Sequence, residues 1–311
     1  MRFNPKARID TGQVENRSGG GGGFGGGLGG SGMRIPIPSG GGGRVGLGTV
    51  VVVIIYIVIQ AIGGNSPLSP LTDGSDGTSS TVSDHCQTGE DANRDQACAI
   101  DLLTNSIQNY WAQTLPDQQG TQYVDIKTVK FRGSTSSGCG RAVSAMGPFY
   151  CPNDQRVYID LDFMDDMLTG QLGAEGGPFA LGYVLAHEYG HHIEDQLGIL
   201  GQMRTQQGPR SDSVKAELMA DCLGGMWAKD AQKTTDALGQ MIISDLTPDD
   251  ISRAINAAQS VGDDRIQKES GGKVNPEQWT HGSAAQREHW FNTGLKEGSL
   301  EACDTFAPGA L

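Results

Sequence analysis

Residues 45–62 read VGLGTVVVVIIYIVIQAI, 18 consecutive positions without a charged side chain. A run of that length is near the lower end of what spans a bilayer. A buried strand is the weaker alternative, because strands rarely exceed about 10 residues. A cleaved signal peptide is another, but the 44 residues before the run are too many for an ordinary n-region. The expectation is one transmembrane helix over 45–62, which divides the chain into a short first part and a long second part.

The first part, residues 1–44, is polar and glycine-rich, and 18 of the 47 glycines lie in the first 48 positions. Such a segment buries too little surface to offset its backbone entropy, so it is expected to be a disordered arm. A nucleotide-binding glycine loop does not fit, since no strand precedes it and no Gly-Lys-Ser/Thr follows. Residues 63–82 (GGNSPLSPLTDGSDGTSSTV) read as a flexible linker, leaving 83–311 as the folded domain. Net charge is −13, yet residues 1–47 carry +4 and the remainder −17. A basic arm with Arg34 and Arg44 near the apolar run belongs in the cytoplasm. The acidic domain then lies across the cell (inner) membrane, periplasmic or extracellular, in a single-pass chain whose partner is the lipid bilayer. An acidic domain repels phosphate backbones, so no nucleic-acid partner is expected.

All six cysteines follow residue 85: Cys86, Cys98, Cys139, Cys151, Cys222 and Cys303. An even number in an exported domain fits a disulfide framework; six buried thiols in a cytosolic enzyme is the bland alternative. Sequence neighbourhood suggests Cys86–Cys98 and Cys139–Cys151, which leaves Cys222–Cys303.

Within the domain, Ala97, Ile100, Leu103, Ile107 and Trp111 recur at helical spacing across 91–113. Residues 122–131 and 156–162 alternate as strands. A helix begins after Gly177-Pro178 and runs to about Leu197, where Gly198 ends it. Others cover Ser213 to about Lys229, Pro248–Ser260 and Ser283–Leu295, the last with a Ser283/Gln286 capping box. The fold class is α+β, mostly helical with a small sheet.

The helix after Pro178 contains His187-Glu188-Tyr189-Gly190-His191. Residues four apart share a helix face, so two imidazoles at this spacing can hold one zinc ion. Glu188 points to the same side and can take a proton from water held at the metal. Phe179, Tyr183, Val184 and Ile193 form the packing side. A catalytic zinc wants a third ligand and an open position. His192 and Glu194 point away from the His187/His191 stripe, and Asp195 lies too far along a straight helix, so surface roles suit these three. Glu217, on the next helix, is the better third ligand. Asp221, four residues on, can accept the second N–H of a ligating histidine. An ordinary charged helix face is the alternative for both, but Leu218, Cys222 and Met226 mark this helix as buried, where an unpaired Asp221 is costly.

HEYGHH, ELMADC, GPFYCPNDQRVYIDLDF and QWTHGSAAQREHWF together resemble the bacterial neutral zinc metallopeptidase family. More broadly, HExxH followed by ExxxD resembles the gluzincins, so the fold expected is zincin-like. The resemblance covers roughly Gln122 to Phe306. It implies a zinc metalloendopeptidase with one Zn²⁺ per chain, held by His187, His191 and Glu217. It implies Glu188 as general base, Asp221 behind the ligands, and a protein or peptide substrate. It also implies a His or Tyr from the C-terminal part that donates to the oxyanion. Two histidines and no tyrosine follow the zinc helices. His281 lies in a turn before a helix, whereas His289 lies inside that helix beside Glu288 and Trp290, so His281 is the candidate. A helix-entry residue bonding its own backbone is the alternative. Because zincins commonly take a peptide as an added strand, 156–162 is the expected edge, against a plain core strand. The rival function is a membrane-tethered binding or chaperone domain stabilised by zinc without peptidase activity. A structural zinc site would normally be closed by a fourth Cys or His, which favours the enzyme.

Overall fold

The computed structural model describes residues 1–17, 85–163 and 168–311. In chain order its elements are β1 (Arg2–Phe3), β2 (Val14–Asn16), α1 (Gly89–Ala92), α2 (Gln96–Gln119), β3 (Lys127–Phe131), β4 (Ser134–Ser137), β5 (Gly140–Val143), β6 (Phe149–Cys151) and β7 (Arg156–Asp160). The regular elements of the C-terminal half are helices apart from one short strand: α3 (Pro178–Gln196), α4 (Asp212–Asp230), the short strand β8 (Ile243–Asp245), α5 (Pro248–Ser260), α6 (Asp263–Glu269) and α7 (Ala284–Glu297). This is the expected mostly helical α+β fold with a small sheet.

Local chemistry sets the helix ends. Proline at the first turn of α3 lacks an N–H that would go unbonded there anyway. The Ser211 side chain accepts from the Val214 N–H at the start of α4, and Ser283 with Gln286 closes a capping box on α7. Helix α2 starts on the Asp95 side chain and stops where Gly120 turns left-handed at φ 67°. Its buried side includes Ile100, Leu103, Ile107 and Trp111.

The main sheet has the order β2-β3-β7-β6, with β2, β3 and β7 parallel and β6 antiparallel to β7. The expectation for 156–162 needs correction here. Strand β7 sits between β3 and β6, and the edge beside the metal-motif helix α3 is β6, only three residues long. Strands β4 and β5 form a separate hairpin.

Two glycine contacts set how closely the helices approach. A Cβ on Gly190 would lie 2.9 Å from the Ala220 Cα, and one on Gly294 would lie 1.8 Å from the Cys222 carbonyl oxygen. Neither space exists for a side chain, so α3 closes on α4, and α4 on α7, to backbone contact. The six cysteines pair as Cys86–Cys98, Cys139–Cys151 and Cys222–Cys303. The last ties α4, one residue beyond Asp221, to the C-terminal segment.

Residues 1–17 overturn the expectation of an arm disordered throughout 1–44. Strand β1 pairs with β8, β2 extends the main sheet beside β3, and Phe3 and Ala7 are buried in the core. The Met1 amino group pairs with Asp250 on α5. The entropy cost of ordering this stretch is offset by those apolar anchors and two strand pairings. The glycine-rich remainder of the arm, the run 45–62 and the linker 63–82 lie outside the described residues.

The membrane expectation is corrected by two findings. Among the described residues no helix is long and apolar enough to cross a membrane. Residues 1–17 also belong to the same packed body as 85–311, whereas a single crossing over 45–62 would put the two on opposite sides. The single-pass topology, the bilayer as partner and the cell-membrane localisation with a cytoplasmic N-terminus all fall with it.

Candidate metal centre and active site

Helix α3 is buried along nearly its whole length, from Phe179 to Glu194, so its polar residues must find partners inside the protein. His187 and His191 face the same way, one turn apart, with ring centroids 4.8 Å apart. The close packing at Gly190 brings α4 against that stripe. Glu217 then lies with Oε2 3.2 Å from His187 Nε2 and Oε1 3.7 Å from His191 Nε2.

The other ring nitrogens are already engaged. His187 Nδ1–H donates to Asp221 Oδ1 at 2.9 Å, and His191 Nδ1–H donates to Glu194 Oε2 at 2.8 Å. Both imidazoles therefore turn Nε2 toward Glu217. The three potential ligand atoms all lie within 4.8 Å of one another. Ligand atoms held tetrahedrally about 2.0–2.1 Å from zinc are spaced about 3.3 Å apart, so the site needs only small adjustments to take the ion. His85, Cys86 and Cys98 also lie close together, but the two sulfurs are joined to each other and leave no thiolate to ligate.

Asp221, fully buried, is the hub behind the candidate ligands. Its Oδ1 accepts from the Tyr183 hydroxyl at 2.6 Å and from Arg287 Nη2 at 2.9 Å, in addition to His187. Its Oδ2 accepts from Arg287 Nε at 2.7 Å. The bidentate guanidinium also reaches within 3.8 Å of Glu217 Oε2. Burial by itself would raise the Asp221 carboxyl, but Arg287 and His187 hold it below the usual range. For Glu217, burial is likewise outweighed, chiefly by the nearby His281 and then by His187. Burial would lower His187, but its bonds to Asp221 and Glu217 raise it to about 10. A metal at Nε2 therefore has to displace a proton, as ligand chemistry requires.

Glu188 points from α3 toward β6, where its Oε2 accepts from the Tyr150 N–H at 2.9 Å. His281 is buried at the loop before α7. Its Nδ1 lies 2.9 Å from Thr280 Oγ1 and 3.3 Å from Asp263 Oδ1. Asp263 Oδ2 in turn accepts from the backbone N–H groups of Thr280, His281 and Gly282 at 2.7, 2.7 and 3.1 Å. Burial would lower His281, and the fields of Glu217 and Asp263 raise it. These contacts fix the ring by Nδ1, and no hydrogen bond to Nε2 occurs among the described residues.

This geometry meets the comparison with known proteins directly. Residues 1–306 match the family described as "Putative neutral zinc metallopeptidase". The chain belongs to this family. It is a zinc metallopeptidase, and the cluster of His187, His191 and Glu217 on α3 and α4 is its candidate metal site. The chain is also similar to "Uncharacterized protein Rv2575" of Mycobacterium tuberculosis, with 44% identity over 228 residues, 73% of this chain and 76% of that protein. "Uncharacterized protein YpfJ" of Escherichia coli is 42% identical over 221 residues, 69% of this chain and 73% of that protein. No solved structure matches.

Several residues of this metallopeptidase play parts the sequence did not suggest. Glu194, His192 and Asp195 were expected at the surface. Glu194 is instead fully buried behind His191, His192 is buried with Nε2–H donating to the Val124 carbonyl at 2.8 Å, and Asp195 accepts from the Tyr150 hydroxyl at 2.8 Å. Arg287 and Tyr183, the partners of Asp221, were also missed as site residues. One signal was available: residues 178–186 carry no charge on any face, the mark of a helix buried all round.

Proposed function

We propose that this zinc metallopeptidase hydrolyses peptide bonds with Glu188 as general base, His187, His191 and Glu217 as ligands of one zinc ion, and His281 as the oxyanion donor. The observation that carries it is the convergence of three ligand atoms from two helices with a separately held carboxylate one residue from the first ligand. The three ligands leave a coordination position open, unlike a closed structural site. Zinc, when bound there, supplies a Lewis acid that acidifies water and polarises a carbonyl.

The chain's own residues then divide the work. Glu188 keeps one oxygen on the Tyr150 N–H and has the other to take the proton of the attacking water. It delivers that proton to the leaving amine. His281, fixed through Nδ1, offers Nε2–H to the oxygen on which charge develops. Asp221, Arg287, Tyr183 and Glu194 keep the ligand rings in one tautomer and one orientation. The substrate is a protein or peptide. Its main chain would run beside β6, the sheet edge next to Glu188, where the Tyr150 N–H is already held by that carboxylate.

The test is Glu188→Gln, which leaves the ligands in place. The expected result is full zinc content with hydrolysis of unfolded casein lost. Equal hydrolysis by wild type and variant would refute the assignment.

A further inference from the structure

Helix α3 carries two polar stripes. His187, His191 and Glu194 form the one that faces α4. Glu188, His192 and Asp195, at spacings of four and three, form a second, about 100° round the helix. A single residue of β6 touches all three members of the second stripe. The Tyr150 N–H donates to Glu188 Oε2 at 2.9 Å, its hydroxyl donates to Asp195 Oδ2 at 2.8 Å, and the same hydroxyl oxygen lies 3.1 Å from His192 Nδ1.

The contacts span two turns of helix, since Glu188 and Asp195 are seven residues apart, about 10.5 Å along the axis. The side chain is well placed to act as a strut. Tyr150 is nearly fully buried, its ring lies 5.4 Å from the His192 ring, and His192 is itself pinned through Nε2–H to the Val124 carbonyl. Strand β6 has no partner on its outer side among the described residues. On its inner side β6 is held by pairing with β7 and by the Cys139–Cys151 bridge, and on the α3 side the phenol is the contact that reaches furthest along the helix. An amide cannot choose its own direction; it points where the rest of its residue holds it.

We propose that Tyr150 is a positioning residue for the general base. Its hydroxyl, donating to Asp195 beside His192, sets the register of β6 against α3 and so aims the Tyr150 N–H at Glu188. That N–H holds one carboxylate oxygen and leaves the other directed at the reacting water. The proposal rests on the assignment of Glu188 as base, and it adds a residue outside the ligand set and outside the metal motif.

Tyr150→Phe removes only the anchor, so the zinc-loaded variant should keep its zinc. Against a fluorogenic peptide that the wild type cleaves, kcat should fall about tenfold, the scale of a small misplacement of a reacting group. KM should change by less than about twofold, because uniform binding is untouched. Asp195→Ala should repeat the loss, whereas Asp195→Asn, whose amide oxygen still accepts from the phenol, should retain most of kcat. A second readout needs no turnover. In the metal-free protein the Tyr150 amide should exchange with solvent faster in Glu188→Ala and in Asp195→Ala, and at the wild-type rate in Asp195→Asn.

Wild-type kcat in Tyr150→Phe, a loss expressed in KM alone, or a Tyr150 amide indifferent to Glu188→Ala would each overturn the proposal. If Tyr150→Phe does not fold, the Asp195 pair and the amide exchange decide. A wild type that cleaves no peptide would defeat the peptidase assignment, while the amide exchange would still report whether Tyr150 and Glu188 are tied.

Discussion

On its metal face, α3 meets α4 and α7 through charge. His187, Asp221 and Arg287 are buried and Glu217 nearly so, and each lies against at least one partner of opposite sign or complementary hydrogen bonding. On its strand face, α3 meets β6 through one tyrosine and its amide. The first face draws on two further helices pressed to backbone contact at Gly190 and Gly294. The second draws on a three-residue strand. The difference is one of stakes. A buried charge left without its partner is strongly destabilising, whereas a displaced strand costs orientation more than stability. On the proposed assignment, the metal face should govern folding and zinc retention, and the strand face the rate.

Substitutions on the metal face should break this division most visibly. Glu217→Ala should strip most of the zinc, measured on purified protein by atomic absorption. Arg287→Met should destabilise the fold by roughly 3–5 kcal/mol, read from urea unfolding, because buried Asp221 loses its bidentate cationic partner. Asp221→Asn, which removes the charge but keeps an acceptor, should weaken zinc binding by roughly 10–100-fold. If Asp195→Ala, on the other face, loses as much zinc as Glu217→Ala, the two faces are not separate.

A smaller effect concerns the loop that carries His281. Burial would raise the Asp263 carboxyl, but its bonds to His281 and to the backbone of Thr280 hold it below the usual range. A carboxylate depressed on folding contributes stability that is fully present above its unfolded value, near pH 4. That contribution is lost as pH falls through the folded value. Unfolding midpoints measured between pH 6 and pH 3 should therefore decline in the wild type, and Asp263→Asn should show a shallower decline. An identical slope in both would remove Asp263 from the account of how His281 is held.

Much of the metal face was legible in the sequence because its logic is local. The spacing of His187 and His191, the proline that starts α3 and the Glu217/Asp221 repeat all follow from helix periodicity. The Ser283/Gln286 cap was legible for the same reason. The strand face was not. His192 and Asp195 there, and Glu194 on the metal face, read as surface residues because a helical wheel does not say how many neighbours a helix has. Strand β6 is too short to show alternation, so β7 took the edge role in the sequence reading. Arg287 sits 66 residues from Asp221, and no local pattern links the two. Phe3 and Ala7 were submerged in the composition of the glycine-rich stretch that follows them, although their burial holds the N-terminal strands to the domain. That packing is also what the charge-based topology could not foresee.

The central claim is that one zinc ion is held by His187, His191 and Glu217 while Glu188 stays on the strand side. It is tested most directly by diffraction from zinc-loaded crystals recorded on both sides of the zinc absorption edge. The expected result is one anomalous peak per chain, about 2.0–2.2 Å from His187 Nε2, His191 Nε2 and a Glu217 oxygen, with Glu188 still on the Tyr150 N–H. A peak ligated by Glu188 or Asp195, or none at these residues in crystals that contain zinc, would contradict it.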